Sequence, residues 1–394
     1  MDRADFTLDK DVIYLNHGSF GPSTRRTQEA RRYWIDRLEQ QPMRFLTREM
    51  EPALQNAMEP LAALVGTDPK NMTFVDNATF GMNVVARTIP LSRGDEVLLT
   101  DHEYGAVMRT WRQRCRETGA EMVVKKLPDP IEDRQEIVDE FLSGITEQTK
   151  VIVISHVTSA TAAILPVQEI CQAARQLKIP VCIDGPHAVG MIPVNLEQIG
   201  CDFYCASCHK WMSAPFGTGF LYVSPRWQHR VKPAVISWGG SVSGQPASWQ
   251  DEFNWIGTRD VSGFLAIPEA IRCLEEHGWE RFREQTHDMV RNAAQRIETL
   301  TGQGPVVPDD RSWYGSMVAI PIPGPITEGE QHGRRDPLQV ALRDDYRIEI
   351  PVYTWKQTRF IRVSSHLYNT EDDINQLLQA LERVKDKSSA IQEE

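Results

Sequence analysis

From roughly residue 50 to residue 260, short apolar runs rich in β-branched residues alternate with amphipathic stretches, and this alternation limits the possible folds more than any other feature. The runs are MTFVDN, DEVLLTD, KVIVISHV, IPVCID, CDFYCAS and GFLYVS. Between them lie segments such as PVQEICQAARQL, with apolar residues three and four apart. Near-continuous apolar strands separated by helices predict an α/β domain, a mostly parallel sheet covered on both faces. After about 260 the pattern changes. A long helical run, GFLAIPEAIRCLEEHGWERFREQTHDMVRNAAQRIETL, leads to strand-like SMVAIPIP, RIEIPV and RFIRVSS. A further helix then opens at Asn369 or Thr370, with Asp373 placed as a capping box for Thr370. This block reads as a smaller α+β domain. The organisation expected is an N-terminal segment (1–20) packed with the small domain, a large domain (21–262) and a small C-terminal domain (263–394). The Pro-, Gly- and charge-rich stretch from 321 to 337 reads as a surface loop, and the tail KDKSSAIQEE as frayed.

With 41% hydrophobic and 25% charged residues among 394, the composition is that of an ordinary globular chain. The net charge of −11 works against non-specific attraction to nucleic acid or an anionic membrane, so a small-molecule partner is expected. MDRADFTLDKD does not read as a secretory signal, and no stretch has the length of a membrane span, so a cytoplasmic setting is the default expectation. The seven cysteines are too scattered for a disulfide scaffold and read as reduced thiols. Cys205 and Cys208 form a C-x-x-C beside His209, but no second pair stands at zinc-finger spacing, and no metal site is expected.

In open parallel sheets ligands bind outside the carboxyl ends of the strands, so the residues that follow each run carry the functional signal. MTFVDN leads into Asn77, Ala78, Thr79 and then a helical pattern. That arrangement offers backbone N–H groups and a hydroxyl to an anion such as a phosphate, or serves only to cap the helix. IPVCID ends in Asp184, followed by Gly185, Pro186 and His187. A carboxylate closing a buried strand requires a cation, either a protonated pyridine nitrogen or a structural partner. CDFYCAS ends in Ser207, Cys208, His209 and Lys210. A lysine among His, Trp and Met is partly desolvated, which lowers its pKa toward the range where it forms an imine; alone it is equally a snorkelling side chain. The three features together fit one cofactor. Neither G-x-G-x-x-G nor a P-loop follows a strand, which disfavours a nucleotide binder.

These residues resemble the class V aminotransferase family of fold-type I pyridoxal-phosphate enzymes and, within it, the isopenicillin N epimerase group. The likeness is carried by YLNHGSFGP, FLTRE, DHEYGAV, SHVTSATAAILP, IDGPHAVG, CDFYCASCHKWMSAPFGTGFLYV and DEFNWIGTRDV, which occur in the family's order over about two thirds of the chain. The resemblance implies a large domain built on a seven-stranded-type sheet, pyridoxal 5'-phosphate as cofactor, Lys210 as the Schiff-base lysine and Asp184 as partner of the pyridine nitrogen. Tyr104 falls where a ring stacks over the cofactor. Ala78, Thr79, Ser207 and His209 match the phosphate site, and Ser159 and His187 the contacts to the phenolic oxygen. Gly257 and Thr258 resemble a loop that reaches the phosphate of the neighbouring subunit, implying a homodimer with shared sites. Arg362 matches the arginine that grips the substrate α-carboxylate, a bidentate task suited to guanidinium. Asn16 and His17, in LNHGSFGP, stand with the substrate contacts. Where the epimerase pattern has threonine this chain has His17, a titratable ring able to alter selectivity or supply a proton, or else a loop histidine bonded to backbone.

For such an enzyme Lys210 is the natural base at the substrate Cα. Epimerisation or racemisation of an amino-acid centre is the first expectation; a C–S lyase acting by β-elimination, or an aminotransferase, is the alternative. No cysteine follows Cys273, so the loop at 321 to 337 offers no thiol to accept sulfur, which disfavours a cysteine desulfurase.

Overall fold

The computed structural model describes residues 1–239, 246–324 and 336–392, with side chains as far as residue 384. The chain divides into two compact units, one comprising residues 22–159 and 165–276, the other residues 1–21, 160–164 and 277–394. Most of the expected loop from 321 to 337 lies outside the described residues. The last helix continues to Gln392, so most of the tail expected to fray is helical.

The larger unit is organised by a seven-stranded sheet. Its strands are β1 (Met72–Val75), β2 (Glu96–Thr100), β3 (Glu121–Lys125), β4 (Thr149–Ser155), β5 (Val181–Asp184), β6 (Phe203–Ser207) and β7 (Gly219–Val223), in the order β1-β7-β6-β5-β4-β2-β3. β7 is antiparallel to both its neighbours, and every other pairing is parallel. Six strands are the apolar runs read from sequence. The seventh, β3, was not read there. It is an edge strand with half-exposed side chains, so it lacks the continuous apolar signature of a strand covered on both faces.

Helices cover the sheet as the amphipathic spacing requires. Asn77 caps α1 (Ala78–Thr88), its Oδ1 accepting from Phe80 N–H at 2.9 Å. The buried side of this helix packs on β6 and β7. α2 (Gly105–Thr118) follows β2 and ends at Gly119, whose φ of +77° suits a helix terminus that only glycine adopts cheaply. α3 (Val167–Gln176) follows β4 and buries Val167, Ile170, Cys171 and Ala174. The long helical run read as continuous is split into α4 (Ile267–His277) and α5 (Trp279–Thr301) by Gly278 at φ +92°.

In the smaller unit, β8 (Met317–Pro321), β9 (Val352–Trp355) and β10 (Thr358–Ser364) form an antiparallel sheet in the order β9-β10-β8. RIEIPV, read as one strand, is interrupted before Val352, where Pro351 has no N–H to donate to a ladder. Its first half, Ile348–Glu349, pairs in parallel with Ile13–Tyr14. The expected capping box is present: Thr370 N–H donates to Asp373 Oδ2 at 3.0 Å and Asp373 N–H to Thr370 Oγ1 at 3.4 Å.

Gly185 shows how tightly the large unit is packed beyond β5. A Cβ at this position would overlap the Tyr204 ring, itself fully buried and stacked on Phe220. Gly185→Ala is therefore expected to cost about 3 kcal/mol, a value typical of forced overpacking, and to lower the urea midpoint accordingly. An unchanged midpoint would show that the Tyr204 ring can move aside.

Candidate active site

Because all but one of the strands run the same way, β1, β2, β4, β5 and β6 deliver their carboxyl ends to one edge of the sheet. Pairing register sets Ser155, Asp184 and Cys205 in one row across β4, β5 and β6, and places both Ser207 and Val75 opposite Gly219. Residues distant in sequence thereby become neighbours. Ala78 N–H donates to Ser207 Oγ at 3.0 Å, joining the start of α1 to the end of β6. With Phe80 N–H taken by Asn77, the N–H and hydroxyl of Thr79 make no hydrogen bond among the described residues, and Thr79 is exposed. A helix N-terminus with such donors is suited to an anion. His209 is half-buried, with Nδ1 buried and lacking a hydrogen-bond partner; burial and then the nearby Lys210 charge lower its pKa.

Asp184 is 6% exposed, and its carboxylate receives no hydrogen bond among the described residues. Burial pushes its pKa up to about 7, opposed only in part by the charge of Lys210. Lys210 Nζ lies 3.0 Å from His187 Nε2, so the two sequence-nominated groups touch. Tyr104 precedes α2 with its ring 51% exposed, a large aromatic face left uncovered. Ser159 is half-buried after β4. Gly257, at φ +114°, precedes the exposed Thr258, and this loop is anchored by Arg259, whose Nη1 donates to Asp76 Oδ1 at 2.9 Å.

In the smaller unit, Arg362 lies on β10, 5% exposed, and donates from Nη2 to Ser19 Oγ at 2.7 Å. Asn16 bridges to Ser364 on the same strand, and its buried Oδ1 has no hydrogen-bond partner. The His17 ring is fully buried. It stacks on His366 with centroids 4.0 Å apart, and its Nδ1 is 2.9 Å from the Tyr368 hydroxyl rather than bonded to backbone through that atom.

Sequence reading missed a second layer of titratable groups. Glu103 is buried and accepts from Thr100 Oγ1 at 2.6 Å, Ser155 N–H at 3.1 Å and Ser155 Oγ at 2.7 Å. His156 Nδ1 is 2.9 Å from the Tyr204 hydroxyl, and burial lowers the His156 pKa to about 4. The acid immediately before Tyr104 was the available signal for Glu103, but only the pairing of β2 with β4 shows what it meets.

The donor set can be tested against a phosphorylated pyridine aldehyde. Its phosphate needs donors at a helix N-terminus, its ring nitrogen a buried anion, and its carbonyl an amine. Thr79, Ser207 and His209 meet the first need, Asp184 the second and Lys210 the third, and the unbonded Asp184 carboxylate and His209 Nδ1 are the atoms such a group would satisfy. The residues fit.

A large sheet of this order, in a chain that also has a smaller α+β unit, defines the fold-type I class of pyridoxal-phosphate enzymes. The fold is shared with apo cysteine desulfurase from Thermococcus onnurineus NA1, at a TM-score of 0.81 and 20% identity over 97% of this chain and 96% of that one. A family model described as Aminotransferase class-V matches residues 37–377. Isopenicillin N epimerase from Streptomyces clavuligerus is 34% identical over 97% of each chain. L-cysteine desulfhydrase from Arabidopsis thaliana is 26% identical over 95% of this chain and 88% of the relative. The chain belongs to the class-V aminotransferase family, and its cofactor is pyridoxal 5'-phosphate. No helix among the described residues is long and apolar enough to cross a membrane.

The Asp184 environment has a measurable consequence. A folded-state pKa of about 7 against an ordinary 3.8 means that the folded protein binds the extra proton between those values. In the cofactor-free protein this group therefore contributes stability at low pH that is lost as pH rises toward 7. Asp184→Asn is expected to flatten that decline in a series of thermal midpoints from pH 4 to pH 8; parallel curves for the two proteins would refute the assignment.

Proposed function

We propose that this chain acts at the α-carbon of an amino acid and epimerises or racemises that centre. The observation that most supports a Cα reaction is the contact of Lys210 Nζ with His187 Nε2, 3.0 Å apart, at the sheet edge that also bears Asp184. When bound, pyridoxal 5'-phosphate supplies an electron sink for the pair left on Cα as its proton departs. Lys210 is the residue assigned to hold the cofactor covalently and then, as a free amine, to take the Cα proton. His187 directs that amine, and with Ser159 is assigned to the phenolic oxygen. Asp184 keeps the pyridine nitrogen protonated, its own cost of burial offset by that positive charge. Ala78, Thr79, Ser207 and His209 hold the phosphate, and the open ring face of Tyr104 is assigned to cover the cofactor.

For the α-carboxylate we assign Arg362, on the chemistry of guanidinium and its ordering by Ser19, with Asn16 beside it. His17 belongs to the same loop. Its complete burial against His366 and its bond to Tyr368 favour a water as the second proton donor. A homodimer is part of this reading, with Gly257 and Thr258 presented to the partner's phosphate; the exposed Phe216, Val235, Ile236 and Trp238 are apolar surface suited to such contact. All seven cysteines are free and buried, which suits a reducing compartment, for which we propose the cytoplasm.

Epimerisation is preferred because the likeness to isopenicillin N epimerase spans 97% of both chains. A β-eliminating C–S lyase is the second reading, supported by the likeness to L-cysteine desulfhydrase and by the absence of any cysteine after Cys273, which leaves sulfur to be released directly. Incubation with a panel of amino acids in deuterated water separates the two. Deuterium at Cα without keto acid or sulfide is the expected result, whereas sulfide with an equal amount of keto acid would establish the lyase, and amino-group transfer the aminotransferase. Lys210→Ala is expected to slow Cα exchange about 10²- to 10⁴-fold, and wild-type exchange in that variant would remove Lys210 as the base. Arg362→Ala is expected to raise KM for free α-amino acids by about tenfold to a hundredfold, with kcat changed much less. An unaltered KM would take Arg362 out of the site.

A further inference from the structure

Glu103 has no role in the chemistry above, yet it is the most heavily hydrogen-bonded buried carboxylate at this sheet edge. Its three donors come from two strands. Thr100 Oγ1 at the end of β2 and Ser155 N–H at the end of β4 both donate to Oε1, and Ser155 Oγ donates to Oε2. Thr100 Oγ1 also accepts from His102 N–H at 3.2 Å, so the turn from Thr100 to Glu103 is closed on itself as well as tied to β4. Tyr104 is the next residue. Its side chain makes no capping bond and its ring is half-exposed, so nothing in its own side chain fixes where the backbone presents it.

We propose that Glu103 is a positioning residue: its carboxylate clasps Thr100 and Ser155 and thereby sets the backbone from which the Tyr104 ring reaches the cofactor. The inference rests on the reading of Tyr104 as a cofactor-covering residue. Three donors and no acceptor surround the carboxylate, an arrangement that satisfies the ionised acid. Burial and the neighbouring Asp184 charge raise the Glu103 pKa to about 7, against the three hydrogen bonds that lower it. Burying a carboxyl group here is costly, which a packing role served equally well by an apolar side chain does not explain. Other ionisable groups interacting with Asp184 are Lys210, Cys182 and Tyr204, and burial holds the last two far above neutrality. Gln at position 103 keeps the clasp, since its amide oxygen accepts from Thr100 and Ser155 N–H while its NH₂ donates to Ser155 Oγ.

The test is a double-mutant cycle on the full chain, read as the dissociation constant for pyridoxal 5'-phosphate and as the circular-dichroism band of the bound cofactor. Glu103→Ala and Tyr104→Ala are each expected to weaken binding about tenfold, and the double variant to be no weaker than either alone, because both remove the same ring contact. Glu103→Gln is expected to stay within about twofold of wild type and to keep the dichroic band. Losses that simply add, or a Glu103→Ala protein that binds like wild type, would overturn the proposal. So would a Glu103→Ala protein that is merely less heat-stable with its dichroic band unchanged. If Glu103→Ala fails to fold, Ser155→Ala, which removes the 2.7 Å bond, takes its place in the cycle. Failure of the underlying reading is separately visible: Tyr104→Ala binding like wild type removes the ring from the site, and Asp184→Asn and Lys210→Ala both binding like wild type would place the cofactor elsewhere.

Discussion

Asp184 ends a strand from which water is almost excluded, and its carboxylate has no hydrogen bond among the described residues to offset that loss. The same carboxylate lies level with Ser155 and Cys205 on the flanking strands, within the electrostatic reach of Lys210. Left alone, such a group favours its protonated form; facing a pyridinium it favours the charged form. The architecture of the large unit keeps this carboxylate buried. Parallel strands on either side leave no lateral access for water, and the turn through Gly185 is so tight that a single methyl group would strike Tyr204.

The antiparallel β7 gives the edge its second property. Because Gly219 lies opposite both Ser207 and Val75, the start of α1 and the end of β6 are drawn together, and Ala78 is bonded to Ser207 across 129 residues of sequence. A side chain at Gly219 would meet the Ala206 carbonyl and the Asn77 backbone. The turn at the start of α1 thus depends on a glycine in a neighbouring strand as much as on its own Asn77 cap. The smaller unit orders its polar groups differently. There a loop pairs with β10, setting Ser19 against Arg362 and Asn16 against Ser364, while His17 is absorbed into an aromatic cluster with His366 and Tyr368.

Much of this was legible in the chain. Six of the seven large-sheet strands announce themselves as apolar runs because both of their faces are covered. Asp184 and Lys210 stand out because a charge at the end of such a run demands an explanation. The edge strand β3 was silent, since half-exposed residues carry no such demand, and the break at Gly278 was hidden inside a helical pattern that continues on both sides. Glu103 was illegible for another reason: its partners are Thr100 and Ser155, and no local spacing predicts which strand ends meet.

By itself the sequence determined the α/β class, the strand ends at which chemistry is possible and the residue types available there, because burial and periodicity are written locally. Only the tertiary structure decided that Lys210 meets His187, that Ser207 holds the Ala78 turn, that His17 is buried and that Glu103 joins β2 to β4. These are consequences of strand order and register, and register in the large sheet is set by pairings as distant as Met72 with Tyr222, whose contacts have no counterpart in the local pattern.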